Sequence, residues 1–200
     1  CDKWSYHHCC YNKTAAKCKV QKVGNVPVVI VEETDCHFLL VPTDPVTGVE
    51  DTKRDAHPYW NWAWLAAAGP YNPIKHKILD QSIGLAINPK THRGQDQLHI
   101  HIGSLRNFLR DSLSSHVPHD GNWHQLPARE VYGKTCSAKF VNSNPFPSPF
   151  KEVSKHEPNM EHVGIILGGH VEAGILKGYY IVSCYDTFVE DWLYYNCPGQ

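Results

Sequence analysis

No apolar run in the 200-residue sequence approaches the roughly 18–20 residues that a bilayer span needs. There is no transmembrane segment to read, and a lipid substrate would be met from the aqueous side. The chain also lacks a strong charge of either sign. Its 19 Lys and Arg stand against 20 Asp and Glu, a formal net charge of −1, so no basic surface advertises nucleic acid as a partner. Local basic patches leave RNA as a possible substrate. Internal repeats and low-complexity tracts are missing, which sets aside repeat architectures. The two separate His-x-Ser/Thr motifs of two-histidine phosphoesterases are missing as well. What remains is an ordinary globular composition, 42% hydrophobic and 20% charged, long enough for one domain with a sizeable core.

Cysteine is scarce in the middle and dense at the ends. Of eight cysteines, at 1, 9, 10, 18, 36, 136, 184 and 197, four fall in the first eighteen residues and two in the last seventeen. This spacing leads us to expect disulfides that tie both ends to the domain in an oxidising compartment, with the pairing left open. The first residue is Cys1 rather than Met, and Asn12-Lys13-Thr14 is a glycosylation sequon. Both suit a secreted, extracellular glycoprotein whose signal peptide has been removed. The expected organisation is a cysteine-rich cap over 1–20 and a single catalytic domain over 21–200. In the cap, His7-His8-Cys9-Cys10 reads as oxidised cysteines beside exposed histidines in preference to a metal site.

Hydrophobic alternation predicts strands over 26–31 and 37–41 around a turn at 33–35, then over 83–88, 98–102, 139–141, 163–167 and 179–184. Trp60, Trp64 and Ala67 at helical spacing predict a helix over 59–68, stopped by Gly69-Pro70. Leu105, Phe108, Leu109 and Leu113 predict a second. The segments 114–128 and 142–158 read as loop, the latter for its prolines. Asp186 is placed to cap a last short helix to Tyr195. The sum is an α+β fold with a mostly antiparallel sheet and short helices.

The sharpest feature is Gln97-Leu98-His99-Ile100-His101-Ile102. On a strand, residues two apart share a face. Gln97, His99 and His101 then project together while the aliphatic residues enter the core. Two imidazoles on one face of a buried strand need partners. Imidazole can attack phosphorus and leave again, which suits two-step nucleotidyl transfer, and a neighbouring histidine can hold the tautomer and bond a phosphate oxygen. Amide side chains can neutralise charge on the nonbridging oxygens. The same pattern also occurs at zinc sites, which need further ligands.

The segment Leu85-Ala86-Ile87-Asn88, then Arg93-Gly94-Gln95, then Gln97-x-His99-x-His101-Ile102, resembles the histidine-triad superfamily and, more narrowly, the CDP-diacylglycerol pyrophosphatase family. Leu39-Leu40-Val41-Pro42-Thr43 followed by Gly48 and Glu50, the aromatic helix ending Ala63-Trp64, and Trp123 with Leu126-Pro127 extend the likeness over about residues 26–184. The resemblance implies a histidine-triad-like domain that hydrolyses CDP-diacylglycerol to CMP and phosphatidate without metal or cofactor. It implies His99 as nucleophile and His101 as the last triad histidine, contacting phosphate or leaving group. It implies Asn88 and Gln95 near the nucleotide and phosphates, with Thr43 and Glu50 at the rim. Gln97 departs from the first triad histidine and can orient but not shuttle a proton. Ser104 stands where relatives often carry cysteine. Arg106 is a further phosphate candidate, with a surface salt bridge as the plainer role. Two other readings stand beside this one: a phosphodiesterase or nuclease acting on RNA, dinucleotides or other nucleotide conjugates, and a nucleotide-binding or toxic protein without turnover. Trp64 is expected in the core, while Trp60 and Trp62 are open to base stacking or an acyl chain. His116 and His119 are expected at the surface or, with Trp123 and His124, at a pocket mouth. The remaining histidines, His37 among them, are unassigned.

Overall fold

The computed structural model describes residues 19–22, 25–34, 37–68, 78 and 82–194. Ten strands form one sheet: β1 Lys19–Lys22, β2 Val28–Thr34, β3 His37–Pro42, β4 Ile83–Ile87, β5 Ile100–Leu105, β6 His124–Gln125, β7 Cys136–Asn142, β8 Val163–Glu172, β9 Ile175–Tyr185 and β10 Leu193–Tyr194. Their spatial order is β1-β2-β3-β5-β4-β8-β9-β7-β6, with β10 continuing the β3 side of β5. Every described pairing is antiparallel. Among the described residues three α-helices join the sheet: α1 Tyr59–Ala68, α2 Asn107–His116 and α3 Pro149–His156.

Alternation within the strands builds a different core on each face. Ile30, Phe38, Leu40, Leu85, Ile100, Ile102, Ile165 and Ile181 share one cluster with the buried side of α1, including Trp60, Ala63 and Trp64, and with Phe150 and Val153 of α3. Ala86, Ile166, Tyr180 and Val182 turn the other way and pack with Leu109 and Leu113 of α2 and with Val189, Trp192 and Leu193. Central β5 is therefore hidden on both faces. Ile100 is fully buried. Truncating it to alanine opens a cavity in a site closed by backbone on two sides. Ile100→Ala is expected to lower stability by about 2–5 kcal/mol, read as a reduced urea midpoint at unchanged slope.

The helix over 59–68 starts and ends where its sequence pattern places it. The stretch 142–158 is not loop throughout. Pro149 stands at the first helical position, where a missing N–H costs nothing, and the buried Phe150 and Val153 hold the following turns to the sheet. Likewise α2 runs on to His116, and Leu105 belongs to β5 rather than to that helix. No helix to Tyr195 follows Asp186. A short 3-10 turn at Glu190–Trp192 leads into β10, because pairing with Leu105 and Ser104 takes the backbone bonds that a helix would have used. Asp186 instead accepts a hydrogen bond from Thr91 Oγ1 at 2.6 Å.

Lys19 and Val20, grouped by sequence with the cap, lie in β1, while residues 1–18 are outside the described residues. The described disulfide joins Cys136 to Cys184, register partners on β7 and β9. It links adjacent strands inside the sheet and not a chain end. The other six cysteines, and with them the expected tying of the termini, lie outside the described residues. Among the described residues, no helix is long and apolar enough to cross a membrane.

Candidate active site

The site grows from the start of β5. Leu98, Ile100 and Ile102 enter the first core, so His99 and His101 share the opposite direction. Their ring centroids are 5.0 Å apart with the planes steeply inclined. Residues 97–99 precede the paired part of β5, which begins at Ile100. There Leu98 donates its N–H to the Val46 carbonyl at 2.7 Å, and the buried Gln97 donates from Nε2 to the Pro42 carbonyl at 2.8 Å. Gln97 thus ties the strand entry to the end of β3.

His99 is partly buried. Its Nδ1 lies 2.7 Å from the Gln97 carbonyl oxygen. A carbonyl only accepts, so the proton sits on Nδ1 and Nε2 carries the lone pair. Burial, reinforced by the neighbouring His101, pushes the His99 imidazole down to about 4. The ring is therefore neutral at ordinary pH, with Nε2 nucleophilic.

His101 is buried, 4% exposed, between Leu39 of β3 and Ala86 of β4. Both of its ring nitrogens have close neighbours. Nδ1 lies 2.9 Å from His37 Nε2, and the two rings stack at 5.2 Å. Nε2 lies 2.6 Å from Glu190 Oε2, a close contact bent away from a linear hydrogen bond. Burial also lowers His37 to about 4, with His101 adding to the effect. For Glu190, burial acts to raise the carboxyl, but the contact and charge of His101, the Asn88 amide and His37 outweigh it and hold it below the usual carboxylate range.

Asn88 is buried just past β4. Its Nδ2 donates to Glu190 Oε2 at 2.8 Å, and its Oδ1 accepts from the N–H groups of Val189 and Glu190 at 3.0 and 3.2 Å. The residue that the resemblance places near the nucleotide thus holds the 189–190 segment and aims its carboxylate. Glu50 forms a fork with Arg93, at 2.6 and 2.7 Å, and Arg93 also reaches Asp96 at 2.8 Å. This cluster, with Arg93 covered and Asp96 exposed, shapes the loop carrying Gly94 and Gln95. Gly48 lies beneath it, where an added Cβ would press on the Arg93 guanidinium and the Glu50 carboxylate and push the ion pair aside. Thr43 is exposed, and its N–H donates to the Pro27 carbonyl at 2.9 Å. Gln95 is partly exposed on the same loop. Arg106 is turned to the C-terminal segment, its Nε 3.5 Å from the Leu193 carbonyl and its guanidinium 5.0 Å from the Tyr194 ring centre.

The structure therefore gathers Gln97, His99, His101 and Asn88 around one spot and adds two residues that the sequence reading had not singled out. His37 had a usable signal: it opens a strand whose alternate residues, Leu39 and Val41, share its face. Glu190 had none, being 89 residues from His101 in an irregular segment. Trp60 and Trp64 are both core residues packed edge-on to Phe150 and Tyr179. His119 does not line a mouth with Trp123. It stacks on Phe140 at 3.8 Å, while Trp123 stacks on His156 at 4.4 Å.

Fold and site together define an antiparallel α+β domain with an imidazole, just ahead of the central strand, beside a histidine pair closed by a carboxylate. The chain belongs to the CDP-diacylglycerol pyrophosphatase family, whose model matches residues 5–188. The CDP-diacylglycerol pyrophosphatase of Yersinia pestis is 35% identical over 94 residues, 45% of this chain and 36% of that protein. Those of Mycobacterium bovis strain BCG and Mycobacterium tuberculosis strain H37Ra are 31% identical over 144 residues, 64% of this chain and 53% of theirs. The chain spans about half or less of the length of these relatives.

Proposed function

We propose that this protein hydrolyses CDP-diacylglycerol to CMP and phosphatidate through a nucleotidyl-histidine intermediate on His99. The lone pair on His99 Nε2 attacks the phosphorus that bears cytidine. The anhydride P–O bond breaks, and phosphatidate leaves with the electron pair. Water then attacks the same phosphorus, the P–N bond breaks, and CMP departs. The family supplies the substrate of this reading. The observation that carries the mechanism is the Gln97 carbonyl 2.7 Å from His99 Nδ1, because it makes Nε2 the nucleophilic nitrogen before substrate arrives. His101 stands 5.0 Å away, ring to ring, where it can favour the negative charge of the transition state. Gln95, Thr43 and the loop built on Glu50 and Arg93 form the phosphate side of this reading. The family kinship favours this reading over RNA or a conjugate as substrate and over a protein without turnover. The Cys136–Cys184 disulfide supports a place outside the reducing cytosol.

Trapping tests it. Brief incubation with CDP-diacylglycerol labelled in the nucleotide, then digestion at neutral or alkaline pH, is expected to leave an acid-labile phosphoramidate on the peptide holding residues 97–102. Turnover with label on another peptide, or on none while CMP accumulates in a burst, overturns the His99 intermediate. Turnover of dinucleotides or RNA with CDP-diacylglycerol inert overturns the substrate.

A further inference from the structure

We infer that Glu190 is a positioning residue for the reaction, its carboxylate setting which nitrogen of His101 carries the proton and so aligning the His37–His101 pair beside the nucleophile. The inference rests on the proposed function for its link to turnover, but the geometry stands separately. Glu190 lies two residues beyond the last position matched by the family model.

Four features bring this one carboxylate to His101. Asn88, which leaves β4 next to the site, binds the backbone N–H groups of Val189 and Glu190 with one end of its amide and Glu190 Oε2 with the other. Thr91 and His92 hold Asp186, so the loop between β4 and β5 is tied to the start of the same segment. Trp192 is 5% exposed, and its carbonyl accepts from the Arg106 N–H at 3.0 Å. Pairing of β10 with β5 then fixes the segment on the strand that bears His101. A segment clamped so closely holds its side chains with little freedom, which suits a group that orients a histidine beside the nucleophile.

The chemistry follows from charge and hydrogen-bond capacity. Glu190 Oε2 lies 2.6 Å from His101 Nε2, off the line of a hydrogen bond, and its negative charge favours the tautomer with the proton on Nε2. Nδ1 then faces His37 Nε2 across 2.9 Å, and a single proton is shared along that line. Without the carboxylate, His101 is free to adopt the opposite tautomer. The titratable and charged groups facing Glu190 and His101 are His37 on β3 and His99 at the start of β5, with the Arg93 charge acting on His99.

The test uses Glu190→Gln, Glu190→Asp and Glu190→Ala. The Asn88 bonds to backbone N–H groups and the β10 pairing do not involve the Glu190 side chain, so the variants keep the clamp. CMP release from CDP-diacylglycerol in mixed micelles is measured against pH, with histidine side-chain ¹⁵N spectra and melting temperatures recorded without substrate. Expected are a kcat about 10-fold lower in Glu190→Gln and about 100-fold lower in Glu190→Ala, with KM within about twofold. Partial recovery is expected in Glu190→Asp, together with a changed acid limb of the kcat profile in Glu190→Gln. The spectra should show the His101 proton on Nε2 in the unaltered protein and redistributed in Glu190→Ala. An unchanged kcat in Glu190→Ala, or activity lost only in step with melting temperature, overturns the role. If the unaltered protein leaves CDP-diacylglycerol intact, the proposed function fails. The spectra then decide Glu190 alone, and an unmoved His101 proton in Glu190→Ala overturns it.

Discussion

His99→Ala is expected to abolish CMP release from CDP-diacylglycerol, a loss on the order of 10⁴-fold or more, while leaving the protein folded. The size follows from the role. Without Nε2 there is no covalent step, and water must displace phosphatidate directly. The fold survives because His99 is partly buried and belongs to neither core cluster, whereas Leu98 and Ile100 beside it are core residues. Steady-state CMP assays with circular dichroism and a melting curve check both halves. Retained turnover in the folded variant removes His99 as nucleophile.

The same residue predicts a pH dependence. Burial lowers His99 and His37 to about 4, against an unperturbed value near 6.5. A neutral nucleophile is lost only when protonated, so kcat/KM is expected to hold as pH falls through 6 and to drop toward pH 4. Stability behaves differently. Between about pH 6.5 and 4 the unfolded chain binds protons at these histidines that the folded chain refuses, so folding weakens as pH falls across that window. An acid limb of kcat/KM centred near 6.5 contradicts the assignment of a buried, neutral His99.

His101→Ala is expected to lower kcat by about 10²–10³-fold, less than His99→Ala, as for one lost group acting on the transition state. The labelled peptide of residues 97–102 is still trapped, because the nucleophile and its Gln97 contact remain. The variant also loses stability, unlike His99→Ala. Removing a ring that is 4% exposed leaves His37 Nε2 and the Glu190 carboxylate without the neighbour that each of them faces. About 1–3 kcal/mol is the expected cost of losing this buried polar neighbour, with Glu190 keeping its bond from Asn88 Nδ2. Single-turnover kinetics and urea unfolding separate the two effects. Equal kinetic losses in the two alanine variants, or a His101→Ala protein as stable as the parent, contradict this division of labour.

The strands of the central sheet were legible because their alternation is local. Ile100 and Ile102 against His101 reads the same in sequence and in space. So does α1, whose run from Tyr59 to Ala68 ends at Gly69-Pro70. Pro149 misled the reading of 142–158, since proline tolerates a helix start as readily as a loop and only the burial of Phe150 and Val153 distinguishes them. The end of the chain misled it further. Nothing local shows that 189–194 is held by Asn88 and β5, so Asp186 looked like a helix cap.

By itself the sequence determined the antiparallel α+β class, the buried central strand, and a common direction for His99 and His101. The class follows from alternation and helical spacing along the whole chain, and the buried strand and shared direction from the period-2 spacing of residues 97–102. The tertiary structure alone decided which nitrogen of His99 faces the Gln97 carbonyl, that His37 and Glu190 face the two nitrogens of His101, and that Asn88 and Glu50 organise backbone and loop. Those outcomes depend on which distant strands become neighbours, and chain separation carries no record of that.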